Sequence, residues 1–151
     1  MSLAGSVIAE GTPTGTDNGA TVEGKAKRII FTVKNALAGV PIDMTPNSGV
    51  TEGHNKCVIS LTTAHYYDGN VAWKLIPIGN DNGNYLLETG EQFEVTVDLT
   101  NLGKQPNGDP FVDPELRAND TFSIEVKPSI GPTIMIQRKL PAVIKNVMDL
   151  N

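Results

Sequence analysis

The chain has little of what chemistry is usually built from. Among its 151 residues there is one cysteine, Cys57, which excludes an internal disulfide and a zinc centre made of several thiolates, so the fold has to stand on packing alone. Cys57 heads the apolar run CVISL, where a small buried hydrophobe accounts for it more simply than a nucleophile does. Charge is sparse too: 19% of residues are charged, 17 acidic against 12 basic, for a net charge of −5. The longest basic cluster is KAKR at 25–28, which speaks against nucleic acid as a partner. No window approaches the ~18 consecutive apolar residues of a membrane-spanning helix, so the chain as it stands is expected to be soluble. The amino terminus, MSLAGSVIAEG, lacks the charged-then-apolar layout of a signal peptide. Its MSL reads as a start left by cloning, with a natural segment expected ahead of it.

The usual catalytic signatures are missing as well. There is no GxSxG, no GxxxxGK followed by Ser or Thr, and no GxGxxG ahead of a helix. His54 and His65 lie in or beside turns, outside any zinc spacing, and read as hydrogen-bonded surface histidines. Glu94 and Asp98 share the wet side of one strand, where solvation explains them without catalysis. An enzyme is not expected.

What the chain does have is alternation between turns. With 39% hydrophobic residues, 15 Gly and 10 Pro, it is too apolar for disorder and rich in turn formers. In EQFEVTVDL, Phe93, Val95, Val97 and Leu99 fall on one face and Gln92, Glu94, Thr96 and Asp98 on the other, the period-2 signature of a half-buried strand. TFSIEVKP repeats it with Phe122, Ile124 and Val126, and Pro128 ends the strand because it cannot donate to a ladder. KRIIFTVKN sets Ile29, Phe31 and Val33 against Arg28, Thr32 and Lys34, with Ile30 the exception on the polar side. KCVISLTTA (56–64) and NVAWKLIPI (70–78) read as two further strands with HYYDG as a hairpin-like connection. PTIMIQRKL (132–140) is expected to return antiparallel after the turn PSIG. AVIKNVMDL at the carboxyl end fits a strand or a turn or two of helix. Residues 1–21 read as a linker and 22–151 as one domain, an all-β antiparallel sandwich or barrel of immunoglobulin-like type.

Two acidic stretches are candidate sites. GNDNGNYLLETGE, Gly79 to Glu91, offers oxygens from Asp81, Asn82, Asn84, Glu88 and Glu91. A hard cation wants six to eight oxygens converging on a turn, so Ca2+ ahead of Mg2+ is one reading. The other is an Asn/Gly turn held by side-chain-to-backbone hydrogen bonds, and it asks for less. NGDPFVDPE, with Asp109, Asp113 and Glu115, lies in the longest connection (100–119) and reads as a solvated loop. One sequon, Asn119-Asp120-Thr121, is a candidate N-glycan acceptor if the chain is exported. Tyr66, Tyr67 and Trp73 are candidate anchors for a neighbour, with a core role the simpler one for Trp73.

In order, AKRIIFTVKNALAGVPIDM, NDNGNYLLETGEQFEVTVDL, ANDTFSIEVKPSIGPTIMIQRKLP and a closing V…DL resemble the globular part of archaellins, the filament subunits of the archaeal swimming organelle, over most of 22–150. The resemblance implies an extracellular structural domain contacting copies of itself in a helical filament. It also implies an upstream apolar helix holding the full-length form in the membrane before assembly, and a monomeric domain when isolated. A bound metal ion at Asp81, Asn84, Glu88 and Glu91 and a glycan on Asn119 belong to the same set of expectations. The alternative is an exported β-sandwich module for adhesion, surface-layer binding or carbohydrate binding.

Overall fold

The fold was read from a computed structural model, which describes residues 1–36, 39–47, 55–79, 81–102 and 113–151. His54 and Asp109 therefore lie outside the described residues.

The three alternating segments form the centre of the structure. In chain order the strands are β1 (Ser2–Leu3), β2 (Ile8–Thr12), β3 (Gly15–Asp17), β4 (Ala20–Val22), β5 (Lys25–Lys34), β6 (Ile42–Asp43) and β7 (Val58–Thr62). They continue as β8 (Tyr67–Asp68), β9 (Lys74–Ile78), β10 (Leu86–Leu87), β11 (Gln92–Asp98), β12 (Thr121–Lys127), β13 (Ile134–Lys139) and β14 (Val147–Asp149). The larger sheet runs β14-β2-β5-β11-β9, with β1 also on β5, and the smaller runs β13-β12-β7-β8. Every pairing among the described residues is antiparallel. Two short pairs, β10-β6 and β3-β4, complete the set.

Alternation decides which face goes inside. β5 sends Ile29, Phe31 and Val33 inward, β11 sends Phe93, Val95 and Val97, and β12 sends Phe122, Ile124 and Val126; all are buried in one apolar cluster with Ile59, Leu61 and Ile136 of the smaller sheet. Two antiparallel sheets that each hide one apolar face in a shared core make a sandwich. Register aligns the two longest strands so that Phe93 opposes Val33 and Val95 opposes Phe31, the kind of aromatic and β-branched cross-strand pairing that stabilises a sheet. Ile30, apolar on the wet face, is half-buried opposite Ile8 of β2.

Three expectations needed correction. Residues 1–21 are not a linker: β1 and β2 pair with β5, and Met1, Val7 and Ala9 are buried in the core. Their Gly and Ser content obscures the strand signal, and only the partner strand supplies the missing apolar contacts. The run 70–78 is not a single strand hairpinned to β7. β7 hairpins instead with the short β8, after which Val71 bonds back to Ile59 and Trp73 to Asn47, and only 74–78 pairs in the other sheet, beside β11. Val71 and Trp73 are buried as the chain crosses between sheets, and Pro77 suits β9 to an edge, where a missing N–H costs no ladder bond. The ambiguous carboxyl end resolves as the edge strand β14 on β2.

A hairpin was also missed. Asp17-Asn18-Gly19-Ala20 joins β3 to β4, with Asn18 at φ 49° and Gly19 at φ 80°; two positive φ values at an Asn-Gly pair are the signature of a tight type I′ turn. All six of its strand residues are exposed. At its base the backbone runs so close to its neighbours that a Cβ on Gly24 would sit 2.7 Å from the Thr14 nitrogen and one on Gly11 2.9 Å from the Lys25 oxygen, so both positions are held to glycine by space.

Truncation on the two faces of β11 should separate sharply. Phe93→Ala should lower unfolding free energy by about 3–5 kcal/mol, whereas Glu94→Ala should stay within about 0.5 kcal/mol. Urea denaturation of both variants checks this, and equal losses would mean that the face assignment is wrong.

Candidate functional site

The loop between β9 and β11 owes its shape to its own side chains. Asp81 Oδ2 accepts from the Gly83 N–H at 3.0 Å, Asn82 Oδ1 from the Asn84 N–H at 3.2 Å, and Asn84 Oδ1 from the Leu86 N–H at 2.7 Å. These are successive Asx turns, in which a short polar side chain takes the place of a backbone acceptor two residues away. The Asn82 amide then donates to Glu88 Oε2 at 2.6 Å, and Glu91 Oε2 accepts from the Glu88 N–H at 2.9 Å. The loop is tied down by pairing of Leu86 and Leu87 with Asp43 and Ile42, by Met44 N–H to Tyr85 O at 2.7 Å, and by the Asn35 amide, which donates to the carbonyls of Val40 and Leu87.

All five candidate cation ligands are thus on one loop, but most of their oxygens already serve its hydrogen bonds. Among the described residues no three His, Cys, Asp or Glu side chains gather where they would hold a metal. One atom stands apart: Asp81 Oδ1 is buried and without a hydrogen-bond partner. A buried carboxylate oxygen left bare is costly, and it is the one observation in the loop that points toward a cation.

The sequon lies at the opposite end of the sandwich. Asn119 is exposed, at φ 66° in a turn closed by Asp120 N–H to Arg117 O at 3.2 Å, and its own N–H bonds to Pro141 O. The turn is fixed by Asp120 Oδ2, which accepts from the Arg117 N–H at 2.8 Å. Arg117 pairs with Glu23 and Glu115, and Lys25 pairs with Asp113; Asp113 and Glu115 therefore brace the end of the long connection against β4 and β5. Residues flanking the sequon line a groove of about 520 Å3 together with Pro13, Thr14 and Glu23 at the hairpin base and Val143 and Ile144. Sequence reasoning missed this groove, because the Asn-Gly pair that signals its hairpin lay in a stretch taken for a linker.

The remaining candidates have structural places. His65 is exposed in the turn after β7, Trp73 is 2% exposed, and Tyr67 is 69% exposed on the edge strand β8. Tyr66 is half-buried and donates to Asp68 at 3.1 Å; burial first, and the Asp68 charge second, push its ionisation up. Asp98 caps the 3-10 turn Leu99–Asn101 by accepting from Thr100 N–H at 2.9 Å and its hydroxyl at 2.6 Å. Partial burial works against its charge, yet the Thr100 bonds, with Arg28 and Lys74, hold its carboxyl below the usual range.

No family model matches the chain. Individual relatives do. "Probable flagellin 1" of Archaeoglobus fulgidus is 34% identical over 160 residues, taking in 99% of this chain and 70% of that protein. The chain belongs to the archaeal flagellin family. "Probable flagellin 2" of the same organism is 26% identical over 144 residues, covering 89% of this chain and 62% of its own length. Among solved structures, archaeal flagellin FlaB1 from Methanocaldococcus jannaschii superposes with a TM-score of 0.61 at 13% identity, over 96% of this chain and 93% of that one. The archaeal flagellum of Methanospirillum hungatei gives 0.52 at 19% identity, over 95% and 69%. At such identities the structures speak for the fold alone, and they bear out the antiparallel β body of an archaellin.

Cys57, the archaellin chain's one thiol, is fully buried, and burial first, then the charge of Asp43, pushes it up to about 12. An unfolded thiol ionises near 8.5. With the folded value raised, the contribution to stability is complete below about pH 8.5 and drains away as pH rises toward 12. Unfolding free energy should fall across that window, and less steeply in Cys57→Ala; a thiol reagent at pH 8 should react only as fast as the protein opens. Immediate labelling of the folded protein would contradict the assignment.

Proposed function

We propose that this chain is the structural β domain of a filament-forming archaellin, exposed on an extracellular cell-surface filament, with no reaction to carry out. The observation that carries the reading is the 34% identity to a protein named flagellin across 99% of this chain. The fold is consistent with it: a sandwich whose core is closed and whose sheets end in edge strands offers surfaces for copies of itself, and heterologous contacts between copies generate a helix of subunits. In the full-length form an upstream apolar helix would hold the protein in the membrane before assembly, and the domain alone would be monomeric at ordinary concentrations. Asn119, exposed in its turn, is the glycan acceptor.

The full-length protein, expressed in an archaeon whose own flagellin genes are deleted, should restore surface filaments visible by electron microscopy. Peptides from those filaments spanning Asn119 should carry a sugar mass that Asn119→Gln removes. Bare cells would end the filament reading; filaments with an unmodified peptide would end only the glycan.

A cation belongs to the same reading. Asp81 Oδ1 is the atom that would receive a hard ion, Ca2+ ahead of Mg2+, with the carbonyls and side-chain oxygens of the Asx turns around it. Such an ion would neutralise a buried carboxylate and stiffen the loop. Calorimetric titration of Ca2+ into chelator-treated protein should give saturable heat and a higher melting temperature, both weakened in Asp81→Asn; no heat and no shift would remove the ion from the account.

A further inference from the structure

The two ends of the sandwich differ in charge, and the difference is complementary. At the hairpin end Lys27, Arg138, Lys139 and Lys145 form no ion pair among the described residues. The register shift between Glu10 and Gly11 leaves Lys27 out of the ladder, Lys139 opposes Thr121 beside the sequon turn, and the Lys145 carbonyl lies against Gly11. Asp17 and Asp120 are the acids there outside the ion pairs. At the other end, where Gln92 opposes Lys34, Asp43, Asp81, Glu88 and Glu91 make hydrogen bonds but no ion pair, against Lys34 and Lys56. Between the ends charge is largely settled locally, Arg28 with Glu10 and Lys127 with Glu125.

Each end also exposes apolar surface. Val22 is 52% and Val143 65% exposed at the hairpin end, and Ile78 is 42% and Tyr85 53% exposed beside the acidic loop. The ends differ in shape as well: one carries the projecting β3-β4 hairpin beside a groove, and the other a tightly hydrogen-bonded loop.

We propose that a second copy of this chain docks end to end, the cationic hairpin end of one against the acidic loop end of the next. The proposal rests on the filament reading and names the surfaces that meet in it. The contact is heterologous, so each subunit keeps one free end and the array does not close. Charge sets orientation and suppresses the wrong encounter, hairpin end to hairpin end or loop end to loop end. Exposed pairs of this kind are individually weak and screened by salt, so the contact orders subunits already gathered by a filament and leaves the separate domain a monomer when dilute. A projecting hairpin that buries nothing on its own domain acquires a role in this arrangement.

Charge swapping tests it. Sedimentation equilibrium of the chain at millimolar concentration, in chelator and low salt, should show weak self-association lost at 0.5 M NaCl. Lys139→Glu/Lys145→Glu and Glu88→Lys/Glu91→Lys should each associate about three- to tenfold more weakly, and an equimolar mixture of the two should recover association, because each then meets an end of opposite sign. Glu88→Gln/Glu91→Gln keeps the acceptor oxygens of the loop, and should weaken association while leaving the melting temperature in place; it carries the test if the double lysine variant does not fold. Variants that associate like the parent, or a mixture no tighter than its components, would overturn the contact. If the wild-type full-length chain makes filaments while these results hold, only the contact falls; if it makes none, the filament reading falls first.

Discussion

Everything in this structure depends on two sheets hiding one face each against the other. Phe31, Phe93 and Phe122, the three largest fully buried side chains, come one each from β5, β11 and β12, so the aromatic centre is shared between the sheets. With one buried thiol and no disulfide, nothing covalent supplements that packing. Domains of this size are stable by only about 5–15 kcal/mol, so a single lost aromatic consumes a large fraction of the margin. The short elements follow from it: β1, β2 and β14 extend the larger sheet because its inner face is already fixed, and β8 extends the smaller one for the same reason.

The core sets the limits of what the surface can be. Because the inner faces are saturated with apolar contacts, variation is confined to loops, edges and the projecting hairpin. The Asx-turned loop shows how a polar segment holds a shape without a core: each Asn or Asp side chain closes its own turn, and glycines at positive φ, among them Gly83 and Gly90, supply the conformations the turns demand. At the other end Arg117, Glu23, Glu115, Lys25 and Asp113 brace the chain by charge. The two ends are thus built by different chemistry, one by neutral hydrogen bonds around unpaired acids, the other by ion pairs with cations left over.

Legibility in the sequence followed the same division. β5, β11 and β12 announce themselves because a half-buried strand must alternate, and their inward residues were all identifiable. β13 was legible from Pro and Gly punctuation. β1 and β2 were not, since Gly5, Ser6 and Gly11 interrupt the pattern and their partners are 20 or more residues away in the chain. Trp73 read as core, and is, but that Val71 and Trp73 make the crossing between sheets is tertiary information that a run of apolar residues does not contain. The loop at 79–91 was legible as a turn with two explanations; the hydrogen bonds favour self-closure for its shape, and the bare Asp81 oxygen keeps the cation as a proposal. The hairpin was legible in its Asn-Gly pair, and the groove beside it was not, because its walls come from three distant segments.

The central claim is that a closed two-sheet core carries stability by itself and leaves its two ends free for copies of the chain. Amide hydrogen exchange on the isolated chain and on assembled filaments tests this most directly. The account predicts that amides of β5, β11 and β12 exchange equally slowly in both, while 14–22 and 81–91 exchange fast in the isolated chain and slowly in the filament. Protection gained only on the outer faces of the sheets, with both ends unchanged, would contradict it.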